Sequence, residues 1–118
     1  ESVVVYLANA FSLSMLPSNY VGEVCVKRNA SLDRVKLALS PSFVSAVGHQ
    51  GTADILSKML NVPVQVNRTS IKLTPDDLLV VFQLNIRLAE GAVLSEQEVN
   101  SLLKEGKAQF DLVGLGPC

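Results

Sequence analysis

The sequence predicts a single α/β (α+β) domain over residues 1–118, with a mixed five-stranded sheet flanked by about three helices. Two apolar runs, Val3 to Ala10 and Leu78 to Leu84, lack the in-out alternation of half-exposed strands and read as strands covered on both faces. Stretches of helical spacing lie between the strand-like runs, an order that layers helices against one sheet. The chain has 118 residues, 48% of them hydrophobic and 18% charged. That is apolar surface for one core and length for one domain.

Val3 to Ala10 is the expected central strand. After the polar break Ser12 to Asn19, which contains Pro17, Tyr20, Val24 and Val26 alternate with Glu23, Cys25 and Lys27 as a less buried strand. Asn29 to Ser31 offers an N-cap, and Leu32, Val35 and Leu39 form the inner face of a helix that stops before Pro41. A second helical stretch is expected from about Ser42, with Phe43 and Val47 on one side. Gly48-His49-Gln50-Gly51 interrupts it, and it resumes with Ala53, Leu56 and Leu60. Pro63 restarts extended chain, where the apolar positions shift from even (Val64, Val66) to odd (Ile71, Leu73). Either a bulge around Asn67 to Ser70 or a strand buried on both faces accounts for the shift. The turn Thr74 to Asp77 leads into Leu78 to Leu84, followed by the irregular Asn85 to Gly91. Ser95 and Glu98 make a capping box for a helix with Val99, Leu102 and Leu103 inward and Gly106 at its end. Ala108 to Val113 is the last strand, and Gly114 to Cys118 a loose tail. There is no internal repeat, low-complexity segment or linker.

Composition excludes several functions. Ten Lys plus Arg against 11 Asp plus Glu lack the basic excess that binding a long nucleic acid requires. With no Trp, two Tyr and four Phe, a base-stacking platform is hard to assemble. The longest apolar runs fall far short of the ~20 residues of a membrane helix. Cys25 and Cys118 make neither a disulfide framework nor a CxxC metal clip, so the chain reads as a reduced protein of the cytoplasm. One histidine excludes an HExxH zinc site or a two-histidine pair within a protomer, so neither metal nor cofactor is expected. No GxSxG elbow, Walker loop or GxGxxG occurs.

Chemistry can still gather at a few positions. His49, between two glycines at a helix restart, is the one imidazole available as a general acid or base, although a helix-end histidine is more often a cap or a solvated side chain. Arg87 and Glu90 lie three apart past a buried strand end, where function collects, or form a local surface ion pair. Arg68, with Asn67 beside it, could bind a phosphate, or be an exposed strand residue. Ser12 and Ser14 offer donors after the first strand. Few cations with small hydroxyl donors on a near-neutral domain suit a compact phosphate ester better than a long polymer.

The run Tyr6-Leu7-Ala8-Asn9-Ala10-Phe11-Ser12, the Gly48-His49 pair followed by Thr52-Ala53, the Asn67-Arg68 pair and Arg87-Leu88-Ala89-Glu90-Gly91 resemble the viral anti-CRISPR ring nucleases that counter type III CRISPR defence. The resemblance spans nearly the whole chain and keeps the motif order. It departs at Ala89, where many members have proline. The resemblance implies a homodimer in the host cytoplasm that cleaves cyclic tetra-adenylate without a metal, the ring lying across the two-fold axis. His49 would protonate the leaving 5′ oxygen while a ribose 2′ hydroxyl of the ligand attacks the adjacent phosphorus. Arg87 would stabilise the transition state, and Glu90 would orient the 2′ hydroxyl or accept its proton. Ser12, Asn9, Gly48, Asn67, Arg68 and Gly91 would bind or support the ligand. A nucleophile supplied by the substrate fits the absence of an activated Ser or Cys. A protein that sequesters the nucleotide without cleaving it, a structural virion component, or a cellular ring nuclease limiting its own host's response are the alternatives.

Overall fold

The structure, a computed structural model, describes residues 4–40, 42–86 and 94–117. Its elements run β1 (Val5–Ala8), a 3-10 turn (Leu13–Met15), β2 (Val24–Ala30), α1 (Leu32–Leu39), β3 (Val44–Ala46), α2 (Gln50–Leu60), β4 (Leu78–Leu84), α3 (Glu96–Lys104) and β5 (Ala108–Leu115). The strands form one mixed sheet in the order β2-β5-β4-β1-β3. β1 is parallel to β3 and β4, and β5 is antiparallel to β4 and β2.

The doubly apolar strands face two different covers. Leu7, Val80, Phe82 and Phe110 meet the helices, where Val35, Leu56 and Val99 are fully buried. Ala8, Leu79, Val81 and Val113 face the other way, covered by Ile71 and Leu73 from the irregular segment after α2, with Phe11 and Met15 beside them. Alternate residues of β4 therefore serve two cores, which leaves no polar position in its centre.

The expected helix at 42–47 is instead β3. Val44 and Val47 are β-branched and suit a pleated strand, and pairing of Tyr6 to Ala8 with Val44 to Ala46 decides the outcome. The segment from Pro63 is not a strand: its β-pairing with the described residues is one isolated bridge, Val47 to Val66. Its parity shift is neither a bulge nor a two-faced strand. Val64 enters the helix-side core and Ile71 and Leu73 the opposite one, because the chain passes around the β3 edge between them. The sheet's register shift falls in β2, between Lys27 and Ala30. β5 also runs further than expected, with Gly114 opposite Cys25 and Leu115 opposite Val24. Cys25 is disulfide-bonded, which corrects the expectation of reduced cysteines; Cys118 lies outside the described residues. Among the described residues no helix is long and apolar enough to cross a membrane.

The helix ends follow the sequence closely. The Ser31 side chain accepts from the Arg34 N–H at 3.3 Å. The capping box of α3 is complete: Ser95 Oγ accepts from Glu98 N–H at 3.1 Å, and Glu98 Oε1 accepts from Ser95 N–H at 3.0 Å. Gly106, at φ +71°, closes α3 with the paired Gly106 N–H to Leu103 and Lys107 N–H to Leu102 bonds of a left-handed cap. Ser95→Ala is expected to lower stability by about 1 kcal/mol, read as a shifted midpoint in urea. The Ser95 backbone bond, then its side-chain bond, hold Glu98 below the ordinary value of 4.5, with the Lys58 charge adding to both. A lowered folded pKa gives stability that is present above the unfolded value and lost as pH falls through the folded one. Acid titration of wild type should show this loss, and Glu98→Gln should lack it.

Candidate functional site

The parallel strands β1, β3 and β4 end on the same edge of the sheet, the edge where open α/β sheets receive ligands. Asn9 directly follows β1, and Gly48 and His49 follow β3. Arg87, Glu90 and Gly91 follow β4 in sequence and lie outside the described residues.

Gly48 is gripped from two sides. Asn9 Oδ1 accepts from its N–H at 3.4 Å, and Arg68 Nε donates to its carbonyl at 2.9 Å. Three segments distant in sequence thus meet at the peptide before His49. His49 is the N-cap residue of α2, yet its side chain makes no capping hydrogen bond and is exposed. Its carbonyl accepts from Ala53 N–H at 3.0 Å and starts the helix. The imidazole is therefore neither a cap nor a core histidine, and it stands beside the first-turn N–H groups of α2, which favour an anion.

Arg68 uses Nε on the Gly48 carbonyl, and among the described residues its two terminal nitrogens have no hydrogen-bond partner, so their donors can serve a planar anion. Asn67 has a different task. Its side chain donates to the Ser45 carbonyl at 2.7 Å and its N–H to the Val47 carbonyl at 2.8 Å. Both bonds tie the segment bearing Arg68 to the outer edge of β3. Ser45 Oγ, donating to the Gln65 carbonyl at 2.6 Å, completes this fastening, which no sequence pattern signalled.

Ser12 lies on the neighbouring loop. Its carbonyl accepts from Met15 N–H at 3.1 Å, and its hydroxyl is 2.7 Å from that of Ser14. Lys72 donates to the Ser14 carbonyl at 2.8 Å, and Leu73 N–H to the Met15 carbonyl at 2.8 Å. The Ser12 loop and the segment carrying Arg68 are thus one fastened layer over the sheet. The structure unites Asn9, Gly48, His49 and Arg68 directly, sets Ser12 on this adjoining layer, and gives Asn67 a fastening role. An open cleft of about 810 Å³ lies beside β3, lined by Lys36, Phe43, Ser45, Val62, Val66 and Asn67 among others; it is behind the Asn67 fastening. Among the described residues no group of three or more His, Cys, Asp or Glu could hold a metal ion.

Residues 5–111 match the STIV B116-like family. The ORF117 protein of Acidianus two-tailed virus is 35% identical over 96 residues, covering 79% of this chain and 80% of that one. The ORF116 protein of Acidianus filamentous virus 1 (isolate United States/Yellowstone) is 28% identical over 105 residues, covering 89% and 90%. The solved structure of B116 of Sulfolobus turreted icosahedral virus superposes with a TM-score of 0.83 at 27% identity, covering 94% of this chain and 98% of that one. These matches run through the sheet and the strand ends that carry the site, and the chain belongs to the STIV B116-like family of viral proteins.

Proposed function

We propose that the protein is a ring nuclease that opens cyclic tetra-adenylate, acts as a homodimer without a metal, and so silences type III CRISPR signalling in the host cytoplasm. The observation that carries this reading is the junction at Gly48, where Asn9 and Arg68 converge on the residue before an exposed, uncapped His49. Four of the residues that the resemblance singles out come together there from three separate segments.

In the proposed step a ribose 2′ oxygen of the ring attacks its adjacent phosphorus in line. The new bond closes a 2′,3′-cyclic phosphate, and the bond to the 5′ oxygen breaks. His49 gives its proton to that leaving oxygen. Arg87 balances the charge of the transition state, and Glu90 orients the 2′ hydroxyl or takes its proton. Arg68 and the first-turn amides of α2 hold phosphate oxygens. A ring of repeated phosphates suits a two-fold pair of such sites, which is the reason to propose a homodimer.

The test is incubation with labelled cyclic tetra-adenylate in excess EDTA, with products resolved by chromatography. Linear products ending in a 2′,3′-cyclic phosphate are expected, and a dimer in sedimentation at micromolar concentration. An intact ring that co-elutes with the protein would identify a sequestering protein instead.

A further inference from the structure

We infer that the open cleft beside β3 is a second binding site, for an elongated apolar molecule carrying one anionic head, and that its occupancy steadies the segment bearing Arg68. The cleft extends away from the junction at Gly48: Leu60, which lines it, ends α2, roughly 16 Å along that helix from His49. Its volume of about 810 Å³ falls within the roughly 300–1,000 Å³ of small-molecule sites. Neither the site nor its ligand depends on the ring-opening reaction proposed above.

The lining divides into an apolar body and a rim of donors. Leu39 and Leu60 belong to the helix-side core. Val62 and Val66 continue the apolar lining outward, where they stay 39% and 37% exposed, a surface that an apolar ligand would cover. The rim carries Lys36, Ser40 and Ser42, all exposed, and among the described residues none of these side chains has a hydrogen-bond or ion-pair partner. No Asp or Glu is among the described residues that line the cleft. An ammonium and hydroxyls with no carboxylate beside them suit an anion, so the head group is a carboxylate or a phosphate monoester.

One wall of the cleft is β3 at Ser45, and the facing wall is the segment with Val66 and Asn67. Two side chains tie the walls together: Asn67 Nδ2 donates to the Ser45 carbonyl at 2.7 Å, and Ser45 Oγ to the Gln65 carbonyl at 2.6 Å. Arg68 follows directly and reaches Gly48. A molecule that touches both walls binds only while the segment is fastened to β3, so it shifts the population toward that arrangement. The Asn67 N–H, bonded to the Val47 carbonyl, reports that state through hydrogen exchange.

The experiment is calorimetric titration of the full chain with decanoate, decyl phosphate, decyltrimethylammonium and inorganic phosphate. Saturable one-to-one binding of the two anionic amphiphiles is expected, the tighter of them naming the head group, with none from the cation or from phosphate lacking a tail. Lys36 is exposed, so Lys36→Gln removes the charge without disturbing the fold, and it should weaken binding about three- to fivefold, the scale of an exposed ion pair. Val62→Asp sets a carboxylate against the tail and should weaken binding about tenfold or more. Saturating decanoate should slow exchange of the Asn67 amide. Cation binding as tight as that of the anions, wild-type affinity in both variants, or no heat from either anion overturns the site. Unchanged Asn67 exchange in the saturated protein overturns the hold on the Arg68 segment.

Discussion

Replacing His49 by alanine should lower the rate of ring opening by about 10²–10⁴-fold, the range that a positioned general acid contributes, while affinity for the ring stays within about threefold of wild type. The asymmetry follows from what the imidazole does at each stage. In the proposed mechanism a proton delivered to a leaving oxygen is needed in the transition state, not for holding the uncleaved ring, a task that the proposal assigns to Arg68, the α2 amides and the groups that fasten them. The substitution is also clean structurally. His49 makes no side-chain capping bond, and the bond that starts α2 comes from its backbone carbonyl, which alanine keeps. Thermal unfolding should therefore match wild type, and a lost rate can be assigned to chemistry. Single-turnover assays beside calorimetry read both quantities. A variant that cleaves at the wild-type rate would remove His49 from the mechanism.

Phe110→Ala should destabilise the fold by about 3–5 kcal/mol, a large part of the ~5–15 kcal/mol that holds a domain of this size together. Phe110 is fully buried and Phe82 is 1% exposed. They oppose each other across β4 and β5, with ring centroids 5.1 Å apart at 50°. Alanine removes the burial of a ring, leaves a cavity between the helices and the sheet, and ends the tilted aromatic contact. Phe110→Leu keeps most of the volume and should cost well under half as much. The double variant Phe82→Ala with Phe110→Ala should fall short of the sum of the two singles, because both open one shared cavity. Chemical denaturation with linear extrapolation measures all four chains.

The apolar runs of β1 and β4 were readable because a strand covered on both faces has no polar alternation, whatever covers it. The caps at Ser31 and Ser95 were readable for a similar reason: a capping side chain bonds to a backbone group three residues away, so the whole device lies within one short stretch. β3 was not readable. Three residues carry no periodicity of their own, and Val44 to Ala46 are extended because β1 offers them partners. The Pro63 to Leu73 segment misled because its apolar residues were read as one strand, whereas they divide between two cores.

The candidate site divides the same way. The residue types able to do chemistry at His49, Arg68, Ser12 and Asn9 stood in the sequence, with their spacing. Their meeting did not. Arg68 reaches Gly48, and Asn9 reaches it from the other side, only because the parallel pairing of β1 with β3 brings their ends to one edge. Lys72 and Ser45 gave no signal, since a lysine or a serine bonded to a distant carbonyl looks in sequence like any solvated side chain. Local patterns of burial and capping depend on neighbours within a few residues, and the sequence by itself determined those. The assembly of the site depends on hydrogen bonds between segments that only strand pairing makes adjacent, and the tertiary structure alone decided it.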